Sequence, residues 1–219
     1  MHRLMVTSNT YRMQSWAGDP KDSDVSLDPG NKYLWRMNPQ RMEAEEVRDS
    51  MLYIAGLLDL STGGPEIDES KGEESHRRSL YFHQTPDNQM VFLQVFDGAS
   101  PIECYERAET VAPQQALALA NSKLSFTVAG LMAGHMGGVS PPAAAFVTRA
   151  FEMVLDRPPS AQELRLSQQF LEREEQRFRD PDKPAGEGGK ARETTSPILR
   201  ARLDLVHALL NHNDFVTVR

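Results

Sequence analysis

At 219 residues the chain is long enough to bury a core as one domain, and 39% hydrophobic with 25% charged residues is an ordinary globular composition. A formal net charge of −7 argues against a general nucleic-acid binder, which needs a net basic face for phosphate contacts. The single cysteine, Cys104, excludes an internal disulfide and a covalently attached c-type haem, which requires a Cys-x-x-Cys-His stretch.

In chain order, Leu4, Met5 and Val6 have the pattern of the middle or end of a helix with no capping residue before them. The expectation is a domain that begins further upstream, its front part supplied by an upstream domain or a partner chain. No signal-peptide pattern is visible, because polar, amphipathic sequence follows Met1 directly. Residues 15–31 read as loop, with Gly18, Pro20, Pro29 and Gly30, and Tyr33-Leu34-Trp35 as an aromatic anchor. Asn38-Pro39 is a helix start, and Met42, Val47, Met51, Ile54 and Leu58 fall on one helical face up to a stop at Gly63-Gly64-Pro65. Residues 66–75 read as acidic loop. Aromatic and β-branched residues at 79–83 and 90–96, on either side of Thr85-Pro86-Asp87-Asn88-Gln89, predict a β-hairpin.

The rest reads as helical. The stretch 97–121, containing Asp97, Cys104, Arg107 and an alanine- and leucine-rich helix, is expected to form the knot on which the other helices settle. A helix over 122–136 carries Leu124, Val128, Leu131 and Met132, with Gly130 and Gly134 spaced for a close helix approach. Its apolar run is shorter than the roughly 20 residues a bilayer span requires, so no membrane span is expected. Ser140-Pro141 opens a helix with Phe146, Val147, Ala150, Phe151 and Val154 along one stripe. Ser160 with Glu163 forms a capping box for a helix reaching about 178, and 180–196 reads as a long flexible loop. Ser196-Pro197 opens a last helix whose face is Leu199, Leu203, Val206 and Leu210. The fold class is therefore mainly α: a single helical domain over 1–219 with one small β-hairpin and a flexible loop before the last helix.

Candidate chemistry is sparse. Arg41, Glu45 and Arg48 fall at i, i+4 and i+7 of the predicted helix. They suit either a charged cleft for an anionic or sugar ligand, or a ladder of ion pairs worth about 0.3–0.5 kcal/mol each when exposed. Asp97, Cys104 and Arg107 could line a site at the end of the hairpin, with His83 in reach as proton carrier or ligand, while loop-fixing hydrogen bonds explain Asp97 and Arg107 equally well. Cys104 has no local nucleophile signature and reads as a buried thiol. His207 and His212 are five apart, on different helix faces, so no metal set is expected, and no phosphate loop or Gly-x-Ser-x-Gly elbow occurs.

Three blocks carry a resemblance. They are residues 2–12 with Asn31-Lys32-Tyr33-Leu34-Trp35-Arg36-Met37-Asn38 and Arg41-Met42-Glu43-Ala44-Glu45; residues 97–121; and Leu155-Asp156-Arg157-Pro158-Pro159 with Glu163, then Leu209-Leu210-Asn211-His212-Asn213-Asp214-Phe215. Together they resemble the planctomycete domain-of-unknown-function family 1553, found C-terminal to a cytochrome c-like module in large exported proteins. The chain looks like the C-terminal two-thirds of that domain, with Tyr105 where the family has glycine and Lys123 where it often has proline. The resemblance implies an exported, periplasmic or cell-surface setting beside haem and polysaccharide-related proteins, and no established activity; from the residues themselves, no cofactor is expected in this chain. Two readings of function follow. One is a non-catalytic structural or ligand-binding module, with polysaccharide as a candidate partner. The other is part of a carbohydrate-active or redox enzyme with a polar site near Asp97 and Arg107.

Overall fold

The computed structural model describes residues 1–15, 23–102, 107, 110, 113–179 and 196–218. Their contacts group into two compact units, Met1–Met42 with Val216–Arg219, and Glu43–Phe215. Cys104 and residues 180–195 of the loop predicted over 180–196 lie outside the described residues.

The smaller unit holds two short helices, α1 (His2–Val6) and α2 (Ser23–Leu27), and the antiparallel strands β1 (Gln40–Arg41) and β2 (Thr217–Val218). Gln40 pairs with Val218 and Arg41 with Thr217, and the Met42 amide donates to Val216 O at 2.9 Å. Here the predicted helix start at Asn38-Pro39 is corrected: the chain stays extended through Arg41 because it pairs with a segment near the other end of the sequence. The loop before β1 is fixed by Asp28 and Asn31. Asp28 accepts from the Lys32 and Tyr33 amides, and Asn31 from the Arg36 amide. The predicted aromatic anchor reduces to Trp35, whose indole donates to Asp28 O at 3.0 Å, since Tyr33 and Leu34 are exposed.

The larger unit is helical. α3 (Ala44–Ile54) opens on a capping box, in which the Glu43 side chain accepts from the main chain at Glu46 and the Glu46 carboxylate accepts from the Glu43 amide. The predicted hairpin over 79–96 is replaced by a 3-10 turn at Ser79–Tyr81 and a helix, α4 (Val91–Val95). Met90, Leu93 and Phe96 recur every third residue and are all buried, a helical period that outweighs the β propensity of Val and Phe. The antiparallel strand pair is instead β1 with β2, which are distant in sequence and joined by the helical unit rather than by a turn.

Then come α5 (Pro113–Asn121), α6 (Lys123–His135), α7 (Ala143–Leu155), α8 (Ala161–Arg179) and α9 (Pro197–Leu210). Ser122 caps α6 by accepting from the Ser125 amide, and Ser160 with Glu163 forms the capping box of α8. α9 is the centre of this unit, packing on α6, α7, α8 and α5. Its buried face is Ala201, Arg202, Leu205, Val206, Leu209 and Leu210, wider than the predicted row, in which Leu199 and Leu203 are only partly covered. The side chain of Leu203 lies 3.3 Å from where a Cβ on Gly130 would sit, so that glycine admits α9, whereas Gly134 meets nothing within 4 Å. Met51, Val128, Met132, Phe146, Val147 and Val206 are fully buried and form the core. No single helix among the described residues is long and apolar enough to cross a membrane. The one pair with the required length and composition, α5 and α6, is bent by 57°.

Candidate functional site

Of the six residues singled out in the sequence, the five in the larger unit do not assemble into one site. Arg41 lies in β1, off the helix that was expected to align it with Glu45 and Arg48. On α3 the other two separate: Arg48 is fully buried, while Glu45 stays partly exposed in the first turn.

Glu45 receives the Arg107 guanidinium at both carboxylate oxygens, 2.6 Å from Oε2 and 3.3 Å from Oε1. Glu43 lies 3.3 Å from the same Nη1. This bidentate hydrogen bond to Glu45, with the neighbouring carboxylates, holds the Arg107 pKa above its ordinary value despite partial desolvation. The pair staples the stretch after α4 to the start of α3.

Arg48 spends every guanidinium nitrogen on the loop between residues 72 and 79. Nη2 donates to Gly72 O at 2.9 Å and also to Ser75 O, while Nη1 donates to Arg77 O at 3.0 Å and to Ser79 Oγ at 3.3 Å. The Ser79 hydroxyl and amide both donate to Asp49 Oδ1, at 2.6 and 2.8 Å. The Arg48 guanidinium also sits 4.8 Å from the Phe82 ring centre. Burial pushes its pKa down to about 10, only partly offset by Asp49. These bonds leave no free donor for an anion or a sugar.

Asp97 occupies a left-handed conformation (φ 58°) just after α4, one that aspartate tolerates better than most side chains. Its Oδ2 accepts from the Thr110 amide at 2.8 Å, from the Thr110 hydroxyl at 2.8 Å and from Gln115 Nε2 at 3.2 Å. Gln115 is buried at the start of α5, so the three side chains tie α4 to α5. His83 pairs elsewhere, its Nδ1 2.8 Å from Glu66 Oε2. That hydrogen bond, and then the Glu66 charge, raise its pKa.

Two further buried or half-buried arginines were not picked out from the sequence. Arg202, from α9, donates to Gly138 O and Pro141 O, fixing the turn between α6 and α7, and its guanidinium lies 4.6 Å from the Phe146 ring centre. Desolvation lowers its pKa, against a smaller opposing effect of Glu175. Arg157 bridges Glu163 and Asp214, with Nη2 at 2.7 Å from Glu163 Oε1 and Nε at 2.9 Å from Asp214 Oδ2. An arginine set in an otherwise apolar helix row was the available signal for Arg202. Arg157 lay within the Asp-Arg-Pro-Pro turn already noted.

The concave feature that the sequence reading missed is a half-open cleft of about 460 Å³ between the 69–74 loop, α4 and the junction of α5 and α6. Met90, Phe92, Val95 and Leu124 form its apolar side. None of the six candidate residues lines it. Among the described residues no three His, Cys, Asp or Glu side chains come close enough to hold a metal ion.

What these elements define is a mainly helical protein whose conspicuous polar side chains anchor loops to helices. Residues 1–171 match the family model PSD1, protein of unknown function (DUF1553), and the chain belongs to that family. No curated protein and no solved structure matches it.

Proposed function

We propose that the chain is a non-catalytic structural or ligand-binding module of an exported multidomain system, set at the cell surface or in the periplasm beside polysaccharide or haem proteins. The family resemblance supports that setting. The observation that carries the non-catalytic reading is the engagement of Glu45, Arg48, His83, Asp97 and Arg107. Each is committed to a neighbour that fixes a loop, and the carboxylate of Asp97 and the guanidinium of Arg107 bond to different partners. A carbohydrate-active or redox site would instead need Asp97 and Arg107 to turn their polar atoms to one open pocket.

The test is Arg107→Ala in the full-length protein. A lower unfolding temperature with unchanged polysaccharide association and electron transfer is the expected result. Loss of either activity at an unchanged unfolding temperature would sink the structural reading.

A further inference from the structure

The cleft beside α4 combines three features that belong to peptide recognition. Its floor is apolar and largely built: Met90 and Leu124 are buried, Phe92 and Val95 are half-covered, and Val91 stands 71% exposed at the mouth. Its volume of about 460 Å³ lies in the range of pockets that enclose a ligand. The Met90 side chain lies so near Gly72 that it would overlap a Cβ placed there, so the wall between loop and helix is closed rather than porous.

The rim is charged, and mostly with one sign. Glu69, Glu73 and Glu74 stand along the loop wall, the Glu69 charge acting also on His83. Among the described residues lining the cleft the one cation is Lys123, at the start of α6. At the break between α5 and α6 the side chain of Asn121 also borders the cleft, where its amide can pair with a main-chain N–H and C=O together. An apolar floor, an amide that reads backbone and carboxylates at the rim match a peptide better than a sugar, which would need more donors, or a free anion, which the rim repels.

We propose that this cleft docks a short peptide segment of a partner protein, with bulky apolar side chains flanked by Lys or Arg. The apolar side chains fill the space above Met90 and Leu124, the flanking cations pair with Glu73 and Glu74, and Asn121 bonds to the peptide backbone. Rim carboxylates of this kind govern selectivity and encounter rate more than depth of binding, so the interaction weakens as salt rises.

The experiment uses the full chain with methyl-labelled methionines and the capped peptide Lys-Arg-Leu-Met-Val-Lys, titrated against the same peptide with Glu in place of each cation. The expected result is a saturable shift of the Met90 methyl by the basic peptide only, with a dissociation constant at least about tenfold lower than for the acidic one. The double variant Glu73→Lys with Glu74→Lys, at exposed positions that leave the fold intact, should reverse that preference. A second variant, Val91→Asp, should weaken both peptides. An unmoved Met90 methyl, equal binding of the two peptides, an unchanged preference in the charge-reversed variant, or displacement of the peptide by hexylamine at equal concentration would each overturn the proposal.

Discussion

The guanidinium of Arg48 lies 4.8 Å from the ring centre of Phe82 while its nitrogens hold the carbonyls of the 72–79 loop. A cation buried this completely is tolerated because several oxygens replace its water, and because the planar fork reaches them together. Lysine has one donor centre and cannot span Gly72 O, Arg77 O and Ser79 Oγ. Arg48→Lys should therefore cost about 2 kcal/mol and Arg48→Met about 3 kcal/mol, the latter leaving those acceptors unpaired. Urea unfolding at neutral pH measures both. A loss below about 0.5 kcal/mol for Arg48→Met would show that water reaches the loop carbonyls.

Gly98 offers a sharper test of the turn after α4. A Cβ there would sit 2.8 Å from Leu93 O, a main-chain atom that cannot swing away. The Gly98 amide also donates to that oxygen at 2.7 Å, so the turn cannot open without losing a bond. Gly98→Ala should cost about 2 kcal/mol, and Asp97→Ala about as much through its left-handed backbone and the bonds to Thr110 and Gln115. Asp97→Asn, which keeps the turn geometry, should cost less than Asp97→Ala. The three midpoints from one denaturation series decide the order.

What could be read from the residues was mostly local. Ser160 and Glu163 are three apart and cap α8 as their spacing requires, and Phe146, Val147, Ala150 and Phe151 bury one side of α7. What escaped depends on partners far away in sequence. Gln40 and Arg41 are extended because Thr217 and Val218 pair with them, so Arg41 could not share a helix face with Glu45. Residues 79–96 carry the aromatic and β-branched content of strands, yet Met90, Leu93 and Phe96 face the core of a helical unit whose described residues form no sheet to receive a hairpin. The acidic loop was visible as charge, but only the fold brings Glu73 and Glu74 beside Met90 and Leu124.

Arg107 and Glu45 are 62 residues apart in sequence and meet at 2.6 Å. With both side chains partly exposed, solvent screens most of the attraction. A double-mutant cycle of Arg107→Ala with Glu45→Ala should give a coupling of about 0.5–1 kcal/mol, halved or less in 0.5 M salt. A coupling near zero would mean that Arg107 is held by its backbone and that the ion pair is incidental.

The Arg157 bridge predicts how stability responds to acid. The Arg157 hydrogen bond, together with the Ser160 amide and hydroxyl, outweighs desolvation and holds the Glu163 carboxyl at about 2, below its ordinary value of 4.5. As pH falls between those values the unfolded chain takes up the proton before the folded one does, so the stabilisation is complete above 4.5 and disappears as pH approaches 2. Because the carboxylate is 29% exposed, the contribution is discounted to about 1–2 kcal/mol. Glu163→Gln removes the titrating group. Its stability should therefore fall less steeply than that of the parent chain between pH 5 and about 2.5, the two curves converging at the acid end. Parallel curves over that interval would show that the carboxylate of Glu163 keeps an ordinary affinity for protons, and that Arg157 is held in place by Asp214 alone.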